Sequence, residues 1–369
     1  MELEVQRYLR GGKSLADLQA EYGIKASTGS TADRVALNYD GLFSPMEEQI
    51  CQECRSLILE TGTWNVAARS FFKFFNHGEV YAFAIDWSTA RVQEKLDGTL
   101  ITLYHFRGDW HVATRSTPDA SGVCSQGGSV RVSTFRRLVE ITLNDMGFTF
   151  DEFTGQLDPG IFYAFELTTP ENVVIVPQAT RRLTWLAAWD AATLEECIPD
   201  RVPPGPAART YPLSSLDEIL KACEVMDAFS GEGFVVSDAQ GRRIKIKSPS
   251  YLLADKVLGQ MGTPRRKIEV LLAERLDDLM PALPEWAQTE MTASQAQLRE
   301  FVTEVNEAFE RLRPLAANRR EFAQAAKAYP YSVCLFKLLD GHDLMETLRK
   351  ISPDLVASWV LRDSTRTAE

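Results

Sequence analysis

The chain has 369 residues, of which 45% are hydrophobic and 25% charged, as is ordinary for a globular protein with one large and one smaller core. Its net charge of −11 excludes a protein whose whole surface binds nucleic acid, although it permits a local basic groove. No run of about 18 apolar residues is present. We therefore expect no membrane span.

The amino-terminal sequence MELEVQRYLRGGKS carries acidic residues and lacks the apolar core of a secretory signal, so an intracellular, cytoplasmic protein is expected. Cys51 and Cys54 then form a single CxxC among six cysteines, with no second pair at zinc spacing. This favours reduced thiols in a helical turn over a metal or redox pair. The four histidines form no metal-binding motif.

Residues 80–250 predict antiparallel sheets. Short β-branched and aromatic segments such as ITLYHF, IFYAFEL, RLTWLAAW and RRIKIK are separated by Gly, Asp or Pro turns. Residues 132–145 have helical spacing between these strands, and the proline-rich segment 198–212 predicts a surface loop.

From about residue 255 the apolar period becomes that of an amphipathic helix. The clearest stripe, for which core packing is favoured over a partner or cofactor role, is Leu298, Phe301, Val302, Val305, Phe309 and Leu312. The fold class predicted is α+β, with a mixed domain over residues 1–254 and an all-helical domain over residues 255–369.

Lys95 stands in the tetrapeptide Lys95–Gly98 at the expected start of the strand ITLYHF. A lone lysine at a strand edge is usually solvated and protects the sheet edge. A nucleophilic lysine, in contrast, needs a pKa well below about 10.4, which burial and neighbouring cations can provide.

Lys245 and Lys247 are two residues apart on a probable strand, so both side chains leave the same face while Ile244 and Ile246 point into the core. Paired lysines are costly unless an anion such as phosphate lies between them. The alternative interpretation is the polar outer face of a sheet.

Two glutamates interrupt apolar strand segments: Glu166 in IFYAFEL and Glu232 before GFVV. A carboxylate in such a place costs free energy unless it meets a cation or hydrogen-bond donors. Such acids could bind Mg²⁺, a hard cation that prefers oxygen ligands.

The order of these elements resembles the covalent nucleotidyltransferase superfamily of ATP-dependent ligases and capping enzymes. The matching segments are EKLDGTL, FYAFELTTP, GEGFVV and RIKIKS. Upstream, ECRSLILE and ARSFFKFFNHGE resemble the segments of RNA ligase family one, the phage RNA-repair ligases. Tyr251 resembles that family's aromatic position, AERLDDLMPAL resembles its acidic pair, and Arg115 stands where a lysine is common.

The resemblance implies an antiparallel-sheet nucleotidyltransferase domain of the ATP-grasp-like ligase type, followed by a helical domain that recognises RNA. It implies that Lys95 forms a lysyl–AMP with ATP. AMP then passes to an RNA 5′-phosphate, and a 3′-hydroxyl displaces it. The expected cofactors are ATP and Mg²⁺, with Mn²⁺ as an alternative, and the expected substrate is single-stranded RNA or a broken tRNA. A monomer is the default.

The resemblance also implies roles for individual residues. The catalytic set is Lys95, Lys245, Lys247 and Glu232. The ATP-binding set comprises Arg55, Lys73, Phe74, Glu94, Lys95, Gly98, Arg115, Glu166, Trp185, Val235, Lys245, Lys247 and Tyr251. The metal-binding set is Glu232, Glu166, Asp277 and Asp278. Gly98 is expected to let the backbone approach the nucleotide.

Alternation leaves one point open, because only one of Trp185 and Leu186, and one of Val235 and Val236, can face an adenine slot. Two other functions also remain as alternatives. A DNA ligase or mRNA capping guanylyltransferase is disfavoured by the helical pattern after residue 250 and the lack of a zinc cluster. A catalytically inactive RNA-binding relative is disfavoured because the lysines and Glu232 are all present.

Overall fold

The structure, a computed structural model, describes residues 2–124, 134–252, 254–255, 264–272 and 285–361. The chain divides into two compact units, Met1–Leu252 and Leu253–Glu369. Within the described ranges, no helix has both the length and the apolar character needed to cross a membrane.

The first unit begins with two helices, α1 (Glu4–Arg10) and α2 (Leu15–Tyr22). Ser14 and Asp17 form a reciprocal capping box at the start of α2, and Gly23 ends that helix in the left-handed region. Both helices contribute apolar side chains to the core of a four-stranded antiparallel sheet. Its elements are β1 (Lys25–Ser27), β2 (Arg34–Asn38), helix α3 (Gln49–Glu53), β3 (Arg55–Glu60) and β4 (Val66–Ala68).

A second, five-stranded sheet is antiparallel throughout. Its strands lie in the order β11 (Glu196–Cys197), β10 (Arg182–Asp190), β9 (Ile161–Thr168), β7 (Thr99–Phe106) and β8 (Asp109–Thr114). Helices α4 (Phe135–Asp145) and α5 (Phe150–Thr154) share an apolar core with this sheet. The helix predicted within residues 132–145 is therefore confirmed as α4.

The third sheet lies in the order β12 (Thr210–Tyr211), β6 (Arg91–Lys95), β13 (Gly233–Ser237), β14 (Arg243–Lys247) and β5 (Phe75–Asn76). All its pairs are antiparallel except the short pair β14–β5. Helix α6 (Leu216–Glu224) shares the core of one face. The surface loop predicted over residues 198–212 is confirmed for residues 198–209, after which the short strand β12 joins the sheet.

Lys95 ends β6 in the third sheet, whereas β7 begins at Thr99 in the second sheet. The sequence led us to expect Lys95 at the start of the strand ITLYHF, and this placement was wrong. The residues between the two strands link the two sheets, and this is why the alternation is interrupted there.

In the described residues of the second unit, all the regular elements are helices. Its helices are α7 (Pro264–Leu271), α8 (Glu285–Leu312), α9 (Arg319–Ala326), α10 (Ser332–Leu339), α11 (Leu344–Lys350) and α12 (Pro353–Val360). Phe301 and Val305 of the predicted stripe are buried, and the Phe301 ring contacts Tyr331 and Trp359. The α+β fold class, antiparallel sheets followed by a helical region, is thus confirmed.

Candidate active site

Strand register places three lysines on one face of the third sheet. Gly233 of the central strand β13 pairs with Lys95 on one side and with Lys247 on the other. Two residues further along, Val235 pairs with Lys245. Directly opposed residues and residues two apart project from the same face of a sheet. The three amines therefore share one face, while Ile244 and Ile246 lie in the core on the other.

Gly233 is required by the close approach of strand β14. Its φ of +141° lies where side chains are disfavoured, and a Cβ there would overlap the Ile246 carbonyl oxygen. The glycine of the GEGF segment therefore allows Lys95 and Lys247 to flank a position without a side chain.

We expect Gly233→Ala to destabilise the protein by about 3 kcal/mol or more, because the new methyl group meets backbone rather than a movable side chain. Calorimetric unfolding measures this loss. Gly41→Ala is the matched control, since no atom lies within 4 Å of the position that a Cβ of residue 41 would occupy. Equal losses for the two variants would contradict the assigned cause.

The Glu232 carboxylate lies between the two flanking lysines. Lys95 Nζ donates to Glu232 Oε2 at 2.5 Å, and Lys247 Nζ lies 2.9 Å from Glu232 Oε1. Only 3% of the Glu232 surface is exposed, so its charge would be costly without these two ammonium groups. Lys95 of the KxDG motif and Lys247 of the KxK motif are thus ion-paired with the same buried carboxylate.

A cavity of about 370 Å³ opens on this face, a volume suited to a small-molecule ligand. Ten of the residues predicted to bind ATP line it: Arg55, Lys73, Phe74, Glu94, Lys95, Gly98, Arg115, Glu166, Val235 and Lys245. Lys247 is outside this lining and is linked to it through Glu232 and Lys95. The third sheet, strand β3, the loop after β8 and strand β9 all contribute, so residues far apart in sequence meet here.

Positive charge is concentrated in this cavity. Burial, followed by the neighbouring charge of Lys73, lowers the pKa of Lys245 to about 8. Burial also lowers the pKa of Arg55, whose guanidinium donates to the Phe71 carbonyl at 3.3 Å. Unfavourable interactions among like charges of this kind are relieved when an anion binds. The cavity is therefore suited to a polyanion such as a nucleoside triphosphate.

Glu166 contributes a carboxyl group to the same cavity. Burial raises the pKa of Glu166 to about 7, against the lowering effect of Lys95. Its carboxylate has no hydrogen-bond or ion-pair partner among the residues that the structure describes. No group of three His, Cys, Asp or Glu side chains forms a ready metal site in the described ranges. Mg²⁺ fits nonetheless, because it commonly takes one or two carboxylates together with substrate phosphates.

Trp185 does not line the cavity, and Leu186 does. A register shift in β10 falls between Trp185 and Ala187, and the Trp185 indole donates to the Ala187 carbonyl at 3.1 Å while packing in the second sheet's core. Of the pair that alternation left open, Leu186 therefore faces the cavity and Trp185 does not. Alternation also left open which of Val235 and Val236 faces the slot. Val235 lines the cavity, and Val236 is buried in the core.

Tyr251 is also absent from the cavity wall, since it is buried behind the motif. Its hydroxyl donates to Asp97 Oδ1 at 2.7 Å. Asp97 Oδ2 accepts from the backbone N–H groups of Ile175 and Val176, each at 2.7 Å. Tyr251 was predicted to contact ATP. In the structure its hydroxyl instead binds Asp97, the aspartate of the KxDG motif.

Gly98 is explained by packing against protein backbone. A Cβ there would overlap the Leu167 carbonyl oxygen of β9. The Gly98 backbone thus lies against strand β9 and also lines the cavity, and its approach to a nucleotide stays a prediction. The predicted acidic pair Asp277 and Asp278 lies outside the described residues.

Sequence reasoning missed several cavity residues, the most informative being Tyr39. Its hydroxyl accepts from Lys73 Nζ at 3.2 Å, and its ring lies under Lys73 Nζ and the Arg115 guanidinium, at 4.9 and 5.6 Å. Tyr39 follows β2, in a sheet that the sequence did not reveal. The other missed lining residues are Phe71, Gln93, Leu96, Thr99, Leu100, Ala208 and Arg243.

The family model described as RNA ligase matches residues 53–251, more than half of the chain. The chain belongs to the RNA ligase family. The resemblance to RNA ligases noted in the sequence is thereby confirmed. The family match includes every cavity-lining residue of this RNA ligase family member except Tyr39.

Two curated relatives of this RNA ligase family member extend the match. A protein of Autographa californica nuclear polyhedrosis virus, provisionally named a bifunctional polynucleotide kinase/RNA ligase, is 28% identical over 299 residues, covering 76% of this chain and 42% of that protein. A provisionally named RNA ligase of Thermovibrio ammonificans is 25% identical over 240 residues, covering 62% of this chain and 60% of that protein. The chain thus spans about half the length of these relatives.

Solved structures with some similarity to this RNA ligase family member are also RNA ligases. An archaeal ATP-dependent RNA ligase is 14% identical, with a TM-score of 0.44 over 73% of this chain and 68% of that one. A Naegleria gruberi RNA ligase variant, solved with ATP and Mn, is 14% identical, with a TM-score of 0.31 over 46% of this chain and 52% of that one.

Proposed function

We propose that the chain is an ATP-dependent RNA ligase that joins 5′-phosphate and 3′-hydroxyl ends of single-stranded RNA. The observation that best supports this is the sharing of Glu232 by Lys95 and Lys247 beside a cationic cavity that also contains Lys245. A nucleophilic lysine next to fixed cations is what covalent transfer of a nucleotide requires.

In the first step Lys95 Nζ gives up a proton to solvent and attacks the α-phosphorus of ATP. A nitrogen–phosphorus bond forms, a second proton leaves the nitrogen for solvent, the bond to the bridging oxygen breaks, and pyrophosphate leaves. Lys245 and Lys247 stabilise the charge that develops on the α-phosphate oxygens. Arg55, Lys73 and Arg115 hold the departing phosphates through their cationic groups, as phosphate sites in other proteins do. Leu186 and Val235 provide apolar walls for adenine.

In the second step an oxygen of the RNA 5′-phosphate attacks the α-phosphorus, the nitrogen–phosphorus bond breaks, and the Lys95 nitrogen takes up a proton from solvent to become an amine again. In the third step a 3′-hydroxyl attacks the RNA phosphorus, its proton passes to solvent, the bond from that phosphorus to the AMP oxygen breaks, and AMP leaves. Glu166 contacts the ribose hydroxyls, a role that its position in the cavity lining supports. Glu232 holds and orients the Lys95 amine between turnovers, as their ion pair suggests.

Mg²⁺, or Mn²⁺ in its place, would be held by Glu232 and Glu166 together with phosphate oxygens. When bound, it supplies charge neutralisation for the phosphates. The Glu166 carboxylate, which lacks a partner in the described part of the chain, supports this assignment. The role predicted for Asp277 and Asp278 as further metal ligands stays a prediction.

Residues 1–254 would form the adenylyltransferase domain and residues 255–369 a helical domain that recognises the RNA. The name of the viral relative joins an RNA ligase to a polynucleotide kinase, an activity that supplies 5′-phosphate ends. This supports a role in RNA repair, with a broken tRNA as one such substrate. We propose a monomer that acts in the cytoplasm, which is the host cytoplasm if a phage encodes it.

The proposal is tested by incubating the protein and Mg²⁺ with α-labelled ATP or GTP, followed by single-stranded RNA with a 5′-phosphate or by nicked duplex DNA. We expect transfer of label to protein from ATP and joining of RNA. Labelling from GTP would indicate a capping enzyme, joining of DNA alone would indicate a DNA ligase, and no labelling would indicate an inactive RNA-binding relative.

A further inference from the structure

Two of the three arginines that line the cavity, Arg55 and Arg115, come from segments far apart in sequence. One side-chain amide binds the backbone next to Arg55 and the backbone of Arg115. Arg55 begins β3, and Arg115 follows β8. Asn38, the last residue of β2, accepts from the backbone N–H of Ser56 through Oδ1 at 3.2 Å. Its Nδ2 group donates to the backbone carbonyl of Arg115. The Asn38 amide is thus a bridge between two phosphate-binding segments.

We propose that Asn38 is a positioning residue for the first chemical step, because it fixes the separation of Arg55 and Arg115 across the cavity. The proposal rests on the proposed function, in which these arginines hold the β- and γ-phosphates of ATP. Asn38 itself is absent from the cavity lining and acts through the two backbones that it joins.

The backbone next to Arg55 needs such support. The pairing of β2 with β3 shifts after Leu37 and Leu57, so that Asn38 pairs with Arg55 and Ser56 is an extra residue. Ser56 is buried with a φ of +57°, a left-handed conformation that a residue with a side chain adopts at a cost. Its hydroxyl has no hydrogen-bond partner in the described part of the chain. The bond to Asn38 therefore compensates a strained bulge, which is what directs Arg55 into the cavity.

Tyr39 extends the same bridge to a third cation. Its backbone N–H donates to the Cys54 carbonyl at 2.7 Å, and its hydroxyl accepts from Lys73 Nζ. The position of Tyr39 follows directly from that of Asn38, the preceding residue. One dipeptide at the end of β2 thereby gathers Arg55, Lys73 and Arg115.

The Asn38 amide accepts a hydrogen bond from the Ser56 N–H and at the same time donates one to the Arg115 carbonyl. Substitutions at position 38 can remove one of these hydrogen bonds or both. An aspartate has the same shape and keeps the acceptor, but it cannot donate and would repel the Arg115 carbonyl. Alanine removes both bonds. Glycine at position 56 adopts a positive φ at little cost, and so reduces the need for Asn38.

The experiment compares the ATP dependence of self-adenylation with the sealing of an RNA that already carries AMP on its 5′-phosphate. Sealing of the pre-adenylated RNA needs no β- or γ-phosphate. Its rate therefore reports whether the rest of the active site is intact. For Asn38→Asp and Asn38→Ala we expect the half-saturating ATP concentration to rise about tenfold or more. Sealing of the pre-adenylated RNA should stay within about twofold of wild type. Adding Ser56→Gly to Asn38→Ala should recover part of the loss.

Asn65→Asp is the matched control, because Asn65 is exposed in the turn before β4 and is absent from the cavity lining. It should leave both activities at the wild-type level. An unchanged ATP dependence in Asn38→Asp would overturn the proposal, as would an equal loss of sealing. Failure of the wild-type protein to adenylate itself would instead overturn the proposed function on which this one rests.

Discussion

Replacing Lys95 with alanine is expected to abolish attachment of AMP to the protein. The other amines of the site, Lys73, Lys245 and Lys247, are assigned to phosphate oxygens in the proposed mechanism and do not replace it. The measurement is transfer of label from α-labelled ATP in the presence of Mg²⁺, followed on a denaturing gel. The same variant should still seal an RNA that is already adenylated, since the lysine's nucleophilic step is then complete.

Lys221→Ala is the control for this variant, because Lys221 is an exposed lysine of α6 outside the cavity lining. It should label as the wild-type protein does. Persistent labelling of Lys95→Ala would remove Lys95 from the mechanism. Loss of sealing together with loss of labelling would indicate a folding defect, which the unfolding temperature of the variant would reveal.

The sequence was sufficient for the part of the site that depends on strand periodicity. Lys245 and Lys247 are two apart, and any strand projects such a pair from one face. It could not show that Lys95 would face the same way, because this depends on the pairing of β6 and β14 with β13. Lys95 and Glu232 are 137 residues apart along the chain and meet only through the tertiary fold. The order of the motifs supplied the missing information.

The amino-terminal sheet was not predicted. Its strands β1 and β4 have three residues each, and β2 is buried at four successive positions, so alternation between polar and apolar residues is absent. Tyr39 and Asn38 lie at the end of that sheet and were missed for the same reason. Short, fully buried strands give no periodic signal from which to assign a face.

The orientation of Trp185 was unpredictable for a different reason. The β-bulge between Trp185 and Ala187 changes which side chain leaves each face of β10, and a bulge is set by the neighbouring strand rather than by the residues it contains. Likewise, Tyr251 lies away from the cavity wall because its buried hydroxyl needs a hydrogen-bond acceptor. Asp97, which provides it, lies 154 residues away in sequence.

Lys247→Ala should slow self-adenylation by about 10²–10³-fold, the scale of losing one donor that stabilises a developing oxyanion. Two effects act in the same direction. The α-phosphate oxygens lose a cation, and the buried Glu232 carboxylate keeps Lys95 as its one remaining ion-pair partner among the described residues. With its second partner gone, Glu232 holds the Lys95 amine more firmly in their ion pair, away from phosphorus. Single-turnover labelling at saturating ATP measures the rate.

Glu232→Gln separates these two effects when it is combined with Lys247→Ala. If release of Lys95 from Glu232 contributes, the double variant should adenylate itself faster than Lys247→Ala alone, although still more slowly than wild type. If the lost oxyanion contact accounts for the whole effect, adding Glu232→Gln should give no recovery. Lys247→Arg keeps a cation near Glu232 and the α-phosphate oxygens, so it should retain more activity than Lys247→Ala. The arginine guanidinium is planar, however, whereas the lysine ammonium that it replaces is a point charge. A near-wild-type rate for Lys247→Ala would contradict the role of Lys247 in the first step altogether, because the strand register leaves no second lysine opposite Gly233 on β14.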